Sequence, residues 1–264
     1  MPSSLHGAIS FWLLLTRLGE AQILLPLALM TFGSLLWRPH GLSARPAALG
    51  WLALFCGAIA ITTASKVAFM GWGVGWAALD FTGVSGHSMF AAAVYPIVAG
   101  TLASRWSPGK RYAAIGAGYA LALLVGVSRL MIGVHSPSEV VAGLLLGGVA
   151  SALPLVWAGI APGYISPVVP ALVAAWLAMM PVQAPPSTTH SLVTRMSLML
   201  SGRSEPFTRA DLQQRLVWCC MLDGANKTDG FLVMARRKPQ QLAHLFLTLQ
   251  RKHHDRQESV HRCC

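Results

Sequence analysis

The chain has 264 residues, of which 54% are hydrophobic and 11% are charged. An ordinary soluble domain carries about 25% charged residues, so this composition excludes that class and favours a chain largely embedded in a lipid bilayer. The formal net charge of +11 indicates contact with anionic lipid headgroups or an anionic substrate, and no nucleic-acid recognition motif accompanies it.

Six apolar stretches follow one another along the chain, and each approaches the roughly 20 residues that a helix needs to cross a bilayer. They cover residues 21–37, 47–65, 88–104, 112–127, 140–160 and 164–181. The segment 11–16 that precedes them is too short to cross, so we expect an interfacial helix there. The pattern predicts an all-α, polytopic membrane helix bundle with about six transmembrane helices.

The charge balance changes after residue 181. Residues 1–181 contain eight Lys/Arg and three Asp/Glu, whereas residues 182–264 contain twelve and six. We therefore expect a membrane-embedded domain over 1–181 and a basic C-terminal tail over 182–264. The tail is either partly helical, with an amphipathic pattern at residues 242–249, or poorly ordered.

Basic residues in the short loops orient the bundle, because Lys and Arg are enriched in cytoplasmic loops. The loops 38–46 and 105–111 carry such residues and fall on one face of a six-span bundle. The loops 66–87 and 128–139 then fall together on the opposite face. We expect that face to be the non-cytoplasmic side of the cell membrane, which is the inner or plasma membrane.

Both outer loops place a histidine at the start of a predicted helix. Ser136-Pro137-Ser138-Glu139 is typical of a capping box with Pro at the first helical position, and His135 directly precedes it. Ser85-Gly86-His87 opens the third apolar stretch, with Ser85 as a candidate N-cap. Because helix N-termini attract anions, two such termini on one face predict an anion-binding site.

Two cations accompany the histidines. Arg129 carries a fork of donors that suits phosphate, and Lys66 adds a point charge at the start of the other outer loop. Ionisable groups at membrane depth are costly and indicate function. The sequence therefore predicts a phosphate-binding site with a nucleophile and an acid.

The order and spacing of these residues resemble the type-2 phosphatidic acid phosphatase superfamily, the lipid phosphate phosphatases related to vanadium haloperoxidases. In Ser128–Glu139, a Ser-Arg pair is followed after five residues by His and after three more by an acid, which resembles the third signature of the family. Ser85-Gly86-His87 resembles the second signature, and Lys66 matches the opening of the first. The resemblance covers about residues 60–160, with the signatures within 66–139.

Four positions depart from the family's pattern. Gly73 stands where the first signature has Arg, and Val74 follows in place of Pro. Val84 replaces the Pro of the second signature, and Glu139 replaces the usual Asp. Loss of the arginine removes a charge-assisted contact worth about 1.5–3 kcal/mol. The longer Glu139 side chain must also be accommodated beside His135.

The resemblance implies an integral membrane hydrolase of a lipid phosphate or diphosphate. It implies that His135 attacks phosphorus to form a phosphohistidine, that Glu139 orients the ring, and that His87 protonates the leaving oxygen. It implies that the phosphate oxygens are bound by Lys66, Ser85, Gly86 and Arg129. This scheme requires no metal or other cofactor, and the expected partners are the lipid substrate and the bilayer. The particular lipid and the oligomeric state stay open.

Two other functions fit part of the pattern. Gly83-Val84-Ser85-Gly86 is also similar to the motif of rhomboid-like intramembrane serine proteases, in which Ser85 would pair with His135. Such a dyad needs neither the two cations nor the acid. Alternatively, Gly73 in place of the arginine indicates a catalytically degenerate protein that acts as a membrane transporter or scaffold.

Overall fold

The computed structural model describes residues 11–36, 44–157 and 188–214, and these ranges contain helices and no strand. The helices are residues 11–17 (α1), Ala21–Leu36 (α2), Ala44–Trp72 (α3), Gly86–Leu102 (α4), Pro108–Met131 (α5), Pro137–Trp157 (α6), Thr188–Ser201 (α7) and residues 209–214 (α8). Short 3-10 helices follow α3 and α4 at Ala77–Leu79 and Ala103–Arg105. The prediction of an all-α fold is confirmed.

Five helical stretches of the described chain are long and apolar enough to cross a membrane. They are Phe11–Leu36, Arg45–Trp72, Gly86–Arg105, Pro108–Met131 and Pro137–Trp157. The chain is therefore a multi-pass membrane protein. The sixth predicted span at 164–181, the domain boundary after 181 and the amphipathic pattern at 242–249 all lie outside the described residues.

The N-terminal stretch differs from the expected separate interfacial helix at residues 11–16. Helix α1 continues into α2 through a short turn, in which the Gly19 N–H donates to the Thr16 carbonyl oxygen at 3.0 Å. Arg17 and Glu20 interrupt the apolar run, but their side chains approach each other at 3.9 Å. Because this pairing reduces the cost of the two charges, the helical path can continue toward the bundle.

Helix α4 lies at the centre of the bundle and packs against α2, α3, α5 and α6. Glycines let α6 come unusually close to it. A Cβ atom at Gly143 would lie 2.5 Å from the Ser85 carbonyl oxygen, and one at Gly147 would lie 2.2 Å from the Met89 carbonyl oxygen. Small residues allow this backbone-to-backbone packing in membrane helices. The contact also holds the first turns of α4 and α6 side by side.

Buried polar side chains tie the helices together. The Trp51 indole on α3 donates to the Ala93 carbonyl oxygen of α4 at 3.1 Å. The Ser151 hydroxyl on α6 donates to the Ala92 carbonyl oxygen at 2.8 Å. Polar groups within a bilayer must find partners inside the protein, so these bonds fix the register of α3 and α6 against α4.

The C-terminal segment 188–214 packs against the end of α3. Val193 of α7 and Leu212 of α8 form a small core with Val67, Phe69 and Met70 of α3. The Phe207 N–H also donates to the Met70 carbonyl oxygen at 2.8 Å. Four exposed apolar residues line one face of α7: Leu192, Met196, Met199 and Leu200. Residues 188–214 thus contain two helices, and this segment lies at the bundle end where α3 stops and α4 and α6 begin.

Adjacent glycines of α6 provide a test of the close packing. A Gly147→Ala variant places its Cβ against the α4 backbone, so we expect it to lower the free energy of unfolding by about 1–3 kcal/mol. A Gly148→Ala variant is the control, because its Cβ would meet nothing within 4 Å and alanine favours a helix. Unfolding in detergent micelles measures both, and equal effects would contradict the packing.

Candidate active site

The capping box that the sequence predicts is present at the start of α6. The Ser136 N–H donates to Glu139 Oε2 at 3.2 Å, and the Glu139 N–H approaches Ser136 Oγ at 3.4 Å. The same Oε2 atom lies 2.6 Å from His135 Nδ1. One carboxylate thus caps a helix and holds an imidazole ring. With the Nδ1 proton directed at Glu139, the Nε2 atom of a neutral His135 carries the free lone pair.

The Glu139 side chain is completely buried, yet it is surrounded by donors. Its Oε1 atom accepts from the Thr82 N–H at 2.8 Å and from the Thr82 hydroxyl. Nη2 of Arg209 donates to Oε1 at 3.0 Å and to Oε2 at 2.9 Å. A buried charge is tolerated only when it is paired and hydrogen-bonded, and these contacts meet that requirement. Neither Thr82 nor Arg209 was predicted from the sequence.

The segment Ser85-Gly86-His87 meets the start of α6 directly. The Ser85 N–H donates to the Glu139 carbonyl oxygen at 3.1 Å, although the two residues are far apart in the chain. Ser85 precedes α4 as expected, but its hydroxyl pairs with the Ser88 hydroxyl at 3.0 Å and makes no capping bond. The first N–H groups of α4, including that of Gly86, therefore stay available for an anion.

Lys66 lies inside a helix and not at the start of a loop, because α3 continues to Trp72. The ammonium nitrogen nevertheless reaches the start of α4: a Cβ atom at Gly86 would lie 3.8 Å from Lys66 Nζ. Gly83 packs on the stem of the same side chain, since a Cβ atom at Gly83 would lie 3.2 Å from Lys66 Cγ. The lysine is thus directed along the Gly83–Gly86 loop toward the second signature.

Arg129 projects from the last turn of α5 and contacts the N-terminal segment. Its Nη1 atom donates to Thr16 Oγ1 at 2.9 Å. Its Nε atom is buried and has no hydrogen-bond partner among the described residues. The contact with Thr16 was not predicted, since the sequence indicated only an interfacial helix at residues 11–16.

The two histidines and the two cations come within electrostatic reach of one another. Charges on Lys66, Arg129 and His135 act on His87, and those on Lys66 and Arg129 act on His135. Burial lowers the pKa of His135 below its usual 6.5, and the charges of Lys66 and Arg129 lower it further. The hydrogen bond to Glu139 acts in the opposite direction. The ring consequently stays neutral to a lower pH than a free imidazole would. His87 packs against the N-terminal turn, where a Cβ at Gly19 would lie 2.8 Å from His87 Cβ.

Gly73, which replaces the arginine of the first signature, has a conformational role. It adopts a φ angle of +69°, and its N–H donates to the Phe69 carbonyl oxygen at 2.7 Å, which ends α3. Glycine is favoured at such helix ends because a Cβ is strained in the left-handed region. Two arginines from other parts of the chain nevertheless act on the site: Arg129 lies within electrostatic reach of both histidines, and Arg209 donates to Glu139.

The described residues contain no group of three or more His, Cys, Asp or Glu side chains that could hold a metal ion. The arrangement instead combines one imidazole oriented by a carboxylate, a second imidazole, two nearby cations and a helix N-terminus. These are the groups needed for nucleophilic attack, proton transfer and binding of an anion.

Comparison with known proteins gives several similarities. The sequence model of the PAP2 superfamily matches residues 63–160. A Klebsiella pneumoniae protein described as an uncharacterized 22.5 kDa protein in the cps region is 42% identical over 208 residues, which cover 77% of this chain and 98% of the relative. Phosphatidylglycerophosphatase B of Bacillus subtilis (strain 168) is 44% identical over 71 residues, which cover 26% of this chain and 34% of that protein.

A similar solved structure is that of a transmembrane PAP2-type phosphatidylglycerolphosphate phosphatase from Bacillus subtilis. The two chains are 23% identical, and their superposition has a TM-score of 0.43. It covers 58% of this chain and 76% of the other.

The buried carboxylate gives a stability prediction. A Glu139→Gln variant removes the charge that pairs with Arg209 and accepts from Thr82 and Ser136. We expect it to lower the free energy of unfolding by roughly 3 kcal/mol, the low end for a broken buried ion pair, because Arg209 is about a third exposed.

The matched control is Glu205→Gln, the same chemical change at an exposed position, which we expect to stay within about 0.5 kcal/mol of the unmodified protein. Both are measured by unfolding in detergent micelles. An unchanged stability for Glu139→Gln would rule out the ion pair as a stabilising contact.

Proposed function

Since the chain belongs to the PAP2 superfamily, the type-2 phosphatidic acid phosphatases, we propose that it hydrolyses a lipid phosphate or diphosphate at the end of its helix bundle. The observation that carries the proposal is the contact between His135 Nδ1 and the buried Glu139 carboxylate at 2.6 Å. This pairing lies at a helix N-terminus, within electrostatic reach of His87 and of two cations. It supplies an oriented nucleophile in a site suited to an anion.

The proposed reaction has two steps. Nε2 of His135 attacks phosphorus, the bond from phosphorus to the leaving oxygen breaks, and His87 gives that oxygen a proton. Glu139 stabilises the positive charge that develops on the His135 ring. In the second step water attacks phosphorus and His87 takes a proton from the water. The bond from phosphorus to Nε2 of His135 breaks, which releases inorganic phosphate and the neutral His135 ring. No metal is used in this scheme.

Four residues are proposed to bind the non-bridging phosphate oxygens: Lys66, Ser85, Gly86 and Arg129. The Nε atom of Arg129 is a buried donor with no partner in the described part of the chain, so a phosphate oxygen would satisfy it. The Ser85 N–H already donates to Glu139, so Ser85 would contribute its hydroxyl. Lys66 and the N-terminal amides of α4 would stabilise the extra charge of the transition state.

The substrate is proposed to keep its apolar chain in the bilayer and to present its phosphate at the bundle end that holds the site. Phosphatidylglycerol phosphate is one candidate, because a relative over part of the chain is a phosphatidylglycerophosphatase. Phosphatidic acid and a polyprenyl diphosphate present similar head groups. The basic residues that the sequence places in the short loops 38–46 and 105–111 favour a site on the non-cytoplasmic side.

The central test is a phosphate-release assay on these three lipids with purified protein in detergent. We expect turnover on at least one, inhibition by vanadate as a transition-state mimic, and no loss with a chelator. The His135→Ala variant should lose at least about a thousandfold of the activity without loss of folding, because it lacks the nucleophile.

Three results would count against the scheme. Turnover that survives His135→Ala contradicts the phosphohistidine. Turnover that disappears with chelator indicates a metal site. The absence of turnover on every lipid favours the transporter or scaffold.

A second pair of variants separates the phosphatase from an intramembrane protease. The hydroxyl of Ser85 bonds to Ser88, and His135 Nδ1 faces Glu139, so a Ser–His dyad gains no support from these contacts. We expect Ser85→Ala to weaken phosphate release by about tenfold and His87→Ala to lower it by about 10²–10⁴-fold, the usual contribution of an acid catalyst. The reverse order, with Ser85→Ala inactive and His87→Ala active, would favour the protease.

A further inference from the structure

Arg209 links the C-terminal segment to the carboxylate that holds His135. It lies in the first turn of α8, far along the chain from the signatures. Nη2 donates to both Glu139 oxygens, at 3.0 and 2.9 Å. Nη1 pairs with the Asp80 carboxylate and donates to the Asp80 carbonyl oxygen at 3.1 Å. The guanidinium thus spans two carboxylates, one of which belongs to the proposed catalytic pair.

The guanidinium is held in place by the structure around it. Thr208 and Asp211 cap the start of α8: the Thr208 N–H donates to Asp211 Oδ2 at 2.8 Å, and the Thr208 hydroxyl donates to the same atom at 2.7 Å. Leu212 on the next turn packs into the small core on α3. Since α3 also carries Lys66, the position of Arg209 is fixed relative to the site by more than its own ion pairs.

We propose that Arg209 is a positioning residue of the phosphatase site, which fixes the plane of the Glu139 carboxylate and partly neutralises it so that His135 stays an unprotonated nucleophile. The inference rests on the proposed function. Nη2 binds Glu139 and Nη1 binds Asp80, and the rigid plane that joins the two nitrogens fixes where the Glu139 contact lies, which a single point charge does not. The residue lies outside the region 63–160 that matches the family model, so it is a feature of this chain beyond the signatures.

The charges around His135 determine in which direction its pKa should change when Arg209 is replaced. The groups that act on the ring are Glu139 from α6, Lys66 from α3 and Arg129 from α5, and the ring in turn acts on His87 of α4. Arg209 and Asp80 act through Glu139. The negative charge of Glu139 favours protonation of His135. A cation bound to the Glu139 carboxylate weakens that effect. Loss of the Arg209 charge should therefore raise the pKa of His135, so that the nucleophile becomes protonated at a higher pH.

Arg209 itself stays charged in the folded protein. Burial acts to lower its pKa, but the carboxylates of Glu139 and Asp80 outweigh this, and the pKa of Arg209 is raised. Arg209 consequently stays protonated over the pH range of an assay, so the acid limb of the pH profile does not come from titration of Arg209.

The test compares four variants by kcat, KM and the pH dependence of kcat/KM on the lipid that the unmodified protein hydrolyses. Arg209→Gln removes the charge, and Arg209→Lys keeps it without the planar fork. Asp80→Asn removes the other ion-pair partner; its φ of 49° suits asparagine, so the loop should not be strained. Arg195→Gln, on the exposed side of α7, is the matched control for loss of one positive charge from the segment.

We expect Arg209→Gln to lower kcat by about tenfold or more with KM within about twofold, because it loosens an orienting group and not a phosphate contact. The acid limb of its profile should move to higher pH, and Arg209→Lys should return the limb toward its original position. Asp80→Asn should move the limb little or to lower pH, because Arg209 then acts on Glu139 alone. Arg195→Gln should leave all three quantities unchanged.

The outcomes distinguish a failure of the proposed function from a failure of the positioning role of Arg209. If the unmodified protein releases no phosphate, the proposed function fails. If it is active and Arg209→Gln matches it in kcat and pH profile, the positioning role alone is overturned. Equal losses in Arg209→Gln and Asp80→Asn, with no shift of the acid limb in either, would mean that the residue only docks the C-terminal segment. Thermal unfolding of each variant in detergent confirms that the compared proteins are folded.

Discussion

The site depends on one buried carboxylate and the donors that make its charge tolerable. Glu139 is fully buried near the end of a membrane bundle, where an unpaired charge would cost several kcal/mol. Ser136, Thr82 and Arg209 all donate to it, and they come from three different parts of the chain. Satisfying this single group therefore draws together the start of α6, the loop before α4 and the C-terminal segment. His135 uses a carboxylate whose position the fold has already determined.

Close packing of α6 against α4 is the second feature that determines the geometry of the site. Gly143 and Gly147 bring the backbone of α6 against α4, so that the segments beginning at Ser85 and Ser136 start at the same level. The bond from the Ser85 N–H to the Glu139 carbonyl oxygen then joins them directly. Segments that are separated in the chain are thereby held side by side, because their helices cannot move apart without losing this contact.

Much of the architecture could be predicted from the sequence, because the length of an apolar run and the presence of a capping box both depend only on neighbouring residues. Ser136 and Glu139 indicated the start of α6, and the long apolar runs indicated the spans. The extension of α3 past Lys66 was missed, since the polar residue looked like a helix end. The contacts of Thr82, Thr16 and Arg209 are long-range pairings of single polar residues with no periodic pattern. The Thr208–Asp211 box could indicate a helix start, but not which carboxylate Arg209 would meet.

The departures at Gly73 and Glu139 each have their own explanation in the structure. Gly73 ends α3 in the left-handed conformation, so a branched or long side chain there would be strained. Glu139 is one methylene longer than the aspartate of the family pattern. With that reach it caps α6, contacts His135 at 2.6 Å and also meets Arg209, all through one carboxylate. The longer acid is thus accommodated by an additional donor from the C-terminal segment, and it still reaches His135 Nδ1.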